Sequence, residues 1–185
     1  MADPGPIRMT SDESIASAME QPEDHHYELA AGEVIAMAPE SSGHALAKAN
    51  VWRRVTEAVE AAWLPCDVYP DGMTVTIDSG TVYEPDCLVR CGSRVPDNTV
   101  RLDDPVIVVE VLSPSTRSKD SGAKPIDYFR LKSVHHSLIV RTEDRAIIHH
   151  ARNEDGTILT RIVRDGTLRL DPPGITVTGL FPAAR

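Results

Sequence analysis

A chain of 185 residues with a net charge of −9 is long enough to bury one core and too short for two comfortable ones. The acid excess counts against a protein that coats nucleic acid through Lys and Arg on phosphates, though not against a nuclease, whose acids gather at a metal site while its bases group locally. Three cysteines, Cys66, Cys87 and Cys91, are an odd number with no secretory signal, so the expectation is a reducing cytoplasm and no disulfide; no apolar stretch reaches the roughly 18 residues of a membrane span, so no membrane partner is expected.

Residues 1–11, with Pro4 and Pro6, read as a tail, leaving one domain over 12–185. Asp12 to Glu20 reads as a short helix stopped by Pro22, and Tyr27 to Met37 as a hairpin turning at Ala31-Gly32, with Glu33 opening the second arm. From His44 to Trp63, apolar residues recur at Leu46, Ala49, Trp52, Val55 and Val59, while Lys48, Arg53, Arg54, Glu57 and Glu60 lie elsewhere. That is an amphipathic helix, its stripe assigned to the core rather than to base stacking. Val68 to Ile77 alternates as one strand, Asp78-Ser79-Gly80 turns, and Glu84-Pro85-Asp86-Cys87-Leu88-Val89 enters another strand; Gly92 to Asp104 is a polar loop.

Pro105 to Leu112 is a β-branched run expected where both faces of a strand are covered, and Ser113-Pro114-Ser115-Thr116 breaks it, with a helix from about Lys119. Ser137 to Arg141 and Ala146 to Ala151 read as strands around Glu143-Asp144, with further hairpin turns at Asn153-Glu154-Asp155-Gly156 and Asp165-Gly166: an antiparallel C-terminal meander. The pairs His25-His26, His135-His136 and His149-His150 have side chains that diverge, and Cys87 and Cys91 lack a second ligand pair, so no transition-metal site is read from them.

Glu110 is the one interruption of its apolar strand, and a buried carboxylate must be hydrogen-bonded, paired or bound to a metal. Asp86 stands at the mouth of the other short apolar strand. Two acids on neighbouring strand ends, with a lysine close by, suit a magnesium-dependent phosphodiesterase: hard oxygen ligands for the ion and a cation for developing charge. No Gly-x-Ser-x-Gly elbow or phosphate loop competes with that reading.

Glu84-Pro85-Asp86, then Val108-Val109-Glu110-Val111-Leu112-Ser113-Pro114-Ser115-Thr116, then Asp120, Lys124 and Tyr128 resemble the signature of the Uma-type restriction endonucleases of the PD-(D/E)XK nuclease superfamily. The resemblance reaches back to Tyr27-Glu28-Leu29, Gly32-Glu33 and His44, and forward past Val134. It implies an α/β, restriction-endonuclease-like core, a central mixed β-sheet flanked by helices with the antiparallel extension, and metal-dependent hydrolysis of DNA. In it Asp86, Glu110 and the backbone carbonyl of Val111 would hold Mg2+ (Mn2+ substituting), with Glu33, which resembles the family's N-terminal acid, as a third carboxylate. The superfamily's usual lysine position, two after Glu110, is Leu112 here; Lys124, which shares a helical face with Asp120 and Tyr128, matches a lysine carried on the following helix, with Lys119 as rival. His44, Lys119 and Tyr128 are candidates for substrate contact. A homodimer is expected, because one site per chain must cut two strands. The rival reading is a non-catalytic nucleic-acid-binding or regulatory module on the same fold, and a third is the same site acting on RNA or a small phosphodiester.

Overall fold

Thr10 accepts a hydrogen bond from the Glu13 amide, and the Glu13 carboxylate accepts one from the Thr10 amide at 2.8 Å. This capping box starts the first helix, α1 (Ser11–Met19). The computed structural model describes residues 8–21, 26–37, 39–112, 124–164 and 167–181. Of the expected tail, residues 1–7 lie outside these, but Met9 donates to the Gly32 carbonyl and Ser11 Oγ to the Asp78 carbonyl, so residues 8–11 belong to the fold.

β1 (Tyr27–Ala30) and β2 (Glu33–Ala36) form the expected hairpin. Ala31 and Gly32 both have positive φ, 51° and 85°, which a two-residue hairpin turn requires. α2 (Ser42–Ala61) follows, capped by Ser41. Its buried stripe is Ala47, Val51, Val55, Ala58 and Val59, while Leu46 and Trp52 are exposed. The expected stripe was thus rotated: the small residues face the sheet, where a helix can approach closely.

The expected single strand from Val68 to Ile77 is two strands, β3 (Cys66–Pro70) and β4 (Thr74–Asp78), in different sheets. Asp71-Gly72, with Gly72 at φ 93°, is where the chain crosses between them. β5 (Thr81–Tyr83), β6 (Cys87–Cys91), β7 (Arg101–Leu102) and β8 (Ile107–Leu112) follow. After β8 come a short helix, α3 (Lys124–Asp127), and a single 3-10 turn. The expected helix start at Lys119, with Asp120, lies outside the described residues, as does the Asp165-Gly166 turn. β9 (His136–Arg141), β10 (Ala146–Arg152) and β11 (Ile158–Val163) make the meander, and β12 (Thr167–Leu170) pairs with β13 (Ile175–Thr178) as a separate hairpin.

One sheet runs β11-β10-β9-β8-β6-β3, with β8 antiparallel to β6 and parallel to β9; the other runs β2-β1-β5-β4-β7. Because side chains alternate along a strand, the odd positions of β8, Ile107, Val109 and Val111, pack with α2 and the β12–β13 hairpin. The even position Val108 packs with Leu88, Val75, Ile77 and Tyr83 of the second cluster, where the other sheet closes over it. Both faces are covered, hence the apolar run that only Glu110 interrupts. Glu110 lies on the even face.

One expectation fails here. Cys66 and Cys91 stand directly opposite in the β3–β6 register and form a disulfide, leaving only Cys87 free and buried. Counting cysteines cannot reveal that register. Among the described residues no helix is long and apolar enough to cross a membrane.

Neighbouring histidines do diverge in sequence, but the β9–β10 register brings His136 Nδ1 and His149 Nε2 to 3.0 Å, both buried. Burial, then His136, Arg161 and His150, hold the His149 imidazole down to about 4. The unfolded chain therefore binds a proton here between about pH 6.5 and 4 that the fold does not, so this contribution to stability is complete above 6.5 and is lost as pH falls towards 4. The melting temperature of the wild type minus that of His149→Gln should shrink across that window; a difference that ignores pH would refute it.

Candidate active site

The β6–β8 register pairs Cys87 with Val109; one residue further out, Asp86 comes opposite Glu110. Asp86 is placed by Pro85, which cannot extend the ladder, and its Oδ2 accepts from the Val111 amide at 2.6 Å. Glu110 accepts from the Tyr128 hydroxyl at 2.7 Å and pairs with Lys124 Nζ at 3.2 Å. Lys124 Nζ also lies 2.6 Å from Glu28 Oε1 and 5.4 Å from the Tyr83 ring centroid. Asp86, Glu110, Lys124 and Glu28 are all buried, with exposures of 8, 9, 6 and 4%, so their charges act in a medium where pairing matters.

Burial raises Asp86 above the ordinary carboxylate range, against the pull of the Val111 amide and of Lys48. It raises Glu110 as well, with Asp86 and Glu28 adding to the rise while Lys124 and the Tyr128 hydrogen bond oppose it. Carboxylates this close resist ionising together, and added positive charge would relieve them.

On the other flank, α2 brings two residues to the strand ends. His44 Nε2 donates to the Val111 carbonyl at 2.7 Å, with Nδ1 3.3 Å from Glu40. Lys48 Nζ pairs with Asp71, with Glu40 at 2.8 Å, and with Asp86 at 3.6 Å.

Asp86, Glu110, Val111, Lys124, Tyr128 and His44 thus come together. Tyr128 is fully buried and serves Glu110 rather than presenting itself to a substrate, because a 3-10 turn carries it inward. Glu33 does not join them: it is exposed on β2, paired with Ala30 beside the hairpin turn. Glu28 from β1 is the acid that reaches the site, where it also accepts from the Glu84 amide at 2.9 Å. Lys119 lies outside the described residues.

Sequence reasoning missed Glu28 and Lys48 as site residues. For Lys48 a signal existed: Glu40, His44 and Lys48 are spaced four apart, the spacing of one helical face. For Glu28 the signal was its place in Tyr27-Glu28-Leu29, where the resemblance begins, but its burial depends on the second sheet.

The donor set fits a hard divalent cation: carboxylates and a backbone carbonyl, with no thiolate and no free imidazole among them. Among the described residues no group of three or more His, Cys, Asp or Glu forms a ready-made cage. Magnesium usually keeps several of its waters, so a bound ion would need only the two acids and a carbonyl from the protein; the Val111 carbonyl would share its oxygen with His44.

The family model of Uma2, described as "Putative restriction endonuclease", matches residues 13–180. An uncharacterized protein of Synechocystis sp. is 26% identical over 150 residues, covering 80% of this chain and 77% of its own. The crystal structure of a putative nuclease belonging to DUF820 from Anabaena variabilis superposes with a TM-score of 0.68 at 15% identity, covering 88% of each chain. That likeness shows the fold: the two sheets and their helices form the expected restriction-endonuclease-like α/β core.

Proposed function

Since the chain belongs to the Uma2 family, whose description is "Putative restriction endonuclease", we propose that it is a nuclease that hydrolyses DNA phosphodiester bonds at Asp86, Glu110 and Lys124 with a divalent metal ion. The observation that carries this reading is the pair of buried acids set opposite one another at the strand ends, each with a lysine ammonium within 4 Å. Asp86, Glu110 and the Val111 carbonyl would hold Mg2+ or Mn2+, with Glu28, which shares Lys124 with Glu110, a further carboxylate beside them. The ion supplies a bound water of lowered pKa and charge neutralisation on the phosphate.

Lys124, fixed by Glu28 and Glu110, offsets charge that develops on the phosphate oxygens or directs the attacking water. Tyr128 orients Glu110 by donating to it, and His44 orients the Val111 carbonyl. A homodimer completes the reading, because a duplex presents two strands to one centre per chain.

The test is a cleavage assay on plasmid, single-stranded DNA and RNA with magnesium, with manganese and with chelator. Cutting of DNA that needs either ion and stops with chelator is expected. Cutting that persists in chelator removes the metal, preference for RNA removes the substrate, and no cutting of any of them leaves the non-catalytic binding module.

A further inference from the structure

Lys48 stands apart from Lys124. It projects from α2 into a space bounded by three separate segments: Glu40 before the helix, Asp71 where the chain crosses from β3 to β4, and Asp86 before β6. Its side chain is 13% exposed, so these pairs are partly shielded from water, unlike an ordinary surface ion pair. The contacts are unequal. Asp71 and Glu40 lie close, and neither belongs to the proposed ligand set, whereas Asp86 does and lies at 3.6 Å. Asp86 needs this neighbour, because its Val111 hydrogen bond brings no net charge and a buried carboxylate without a cation is costly.

Resting on the metal reading above, we infer that Lys48 is the built-in counter-ion of the metal-free centre: its ammonium neutralises Asp86 until a divalent cation takes that carboxylate, and Glu40 and Asp71 keep the ammonium beside the centre afterwards. Lys48 is then a positioning residue with two opposed effects. It stabilises the fold while the metal is absent, and it competes with the metal when one arrives. The two outlying carboxylates moderate that competition, because the ammonium can lean on them instead of leaving for water.

Calorimetric titration with Mn2+ alone, paired with thermal melts without metal, tests this on the full chain. Lys48→Met should bind Mn2+ about tenfold more tightly, the scale of one shielded charge removed beside the ion, while its metal-free melting temperature falls. Lys48→Arg, which keeps the charge, should stay near the wild-type affinity. Asp71→Asn, which leaves the ammonium more dependent on Asp86, should bind more weakly. Arg53→Met, on the same helix but paired outward with Glu57, should match the wild type.

A merely structural lysine would lower stability and leave Mn2+ affinity unchanged or weaker, and that result for Lys48→Met overturns the inference alone. A wild type that binds no Mn2+ overturns the metal reading and this inference with it. Should Lys48→Met fail to fold, Asp71→Asn decides, and unchanged or tighter binding there overturns the inference.

Discussion

Asp86→Asn and Glu110→Gln should each reduce metal-dependent cleavage by about 10³-fold or more, the upper scale for losing one electrostatic element of a preorganised site, while the fold survives. Both changes remove charge at nearly constant volume. Asn still accepts from the Val111 amide, and Gln still accepts from Tyr128. Glu110→Gln leaves Lys124 paired with Glu28, and it removes the carboxylate that burial, Asp86 and Glu28 jointly oppose. Its melting temperature without metal should therefore equal or exceed that of the wild type. Near wild-type cleavage by either variant would remove the metal-ligand assignment, and a Glu110→Gln protein that melts well below the wild type would contradict the charge crowding described for the site.

Lys124→Ala is expected to cost cleavage on the order of 10²-fold or more and to destabilise the fold by about 3–5 kcal/mol, because it strands two buried carboxylates. The two effects can be separated. Adding Glu28→Gln to Lys124→Ala removes one stranded charge, so it should recover part of the stability without recovering cleavage. Leu112 lies two residues beyond Glu110 on β8, hence on the same strand face. Leu112→Lys in the Lys124→Ala background should accordingly restore some activity. Measured by single-turnover cleavage and thermal melts, a folded Lys124→Ala that cuts at the wild-type rate would end the assignment.

The parts of the site carried by one short stretch were legible. An acid breaking an apolar strand identified Glu110, the Pro-Asp step identified Asp86, and helical spacing joined Lys124 to Tyr128. What could not be read depends on neighbours far along the chain. Glu28 and Glu33 are five residues apart across one turn, and only the placement of β1 against β5 decides which is enclosed. The α2 stripe failed because Leu46 and Trp52 outweigh Ala47 and Ala58 in hydrophobicity, although close approach to a sheet favours the small residues. The strand from Val68 to Ile77 divides at Pro70-Asp71-Gly72, a turn signal that the alternation on either side of it outweighed in the reading.

That crossing lies inside the chain segment closed by Cys66 and Cys91. The segment leaves the larger sheet after β3, passes through the smaller one as β4 and β5, and returns as β6. Both ends of the excursion are tied at one point, so opening of β4–β5 alone would release a closed loop rather than two free arms. A closed loop gains less conformational entropy on opening. The β1–β2 hairpin, which brings Glu28, lies outside the loop and has no such restraint. The two walls of the site therefore differ in how easily they breathe: the wall carrying Asp71, Tyr83 and Asp86 is the stiff one, and the wall that delivers Glu28 to Lys124 is the one free to yield.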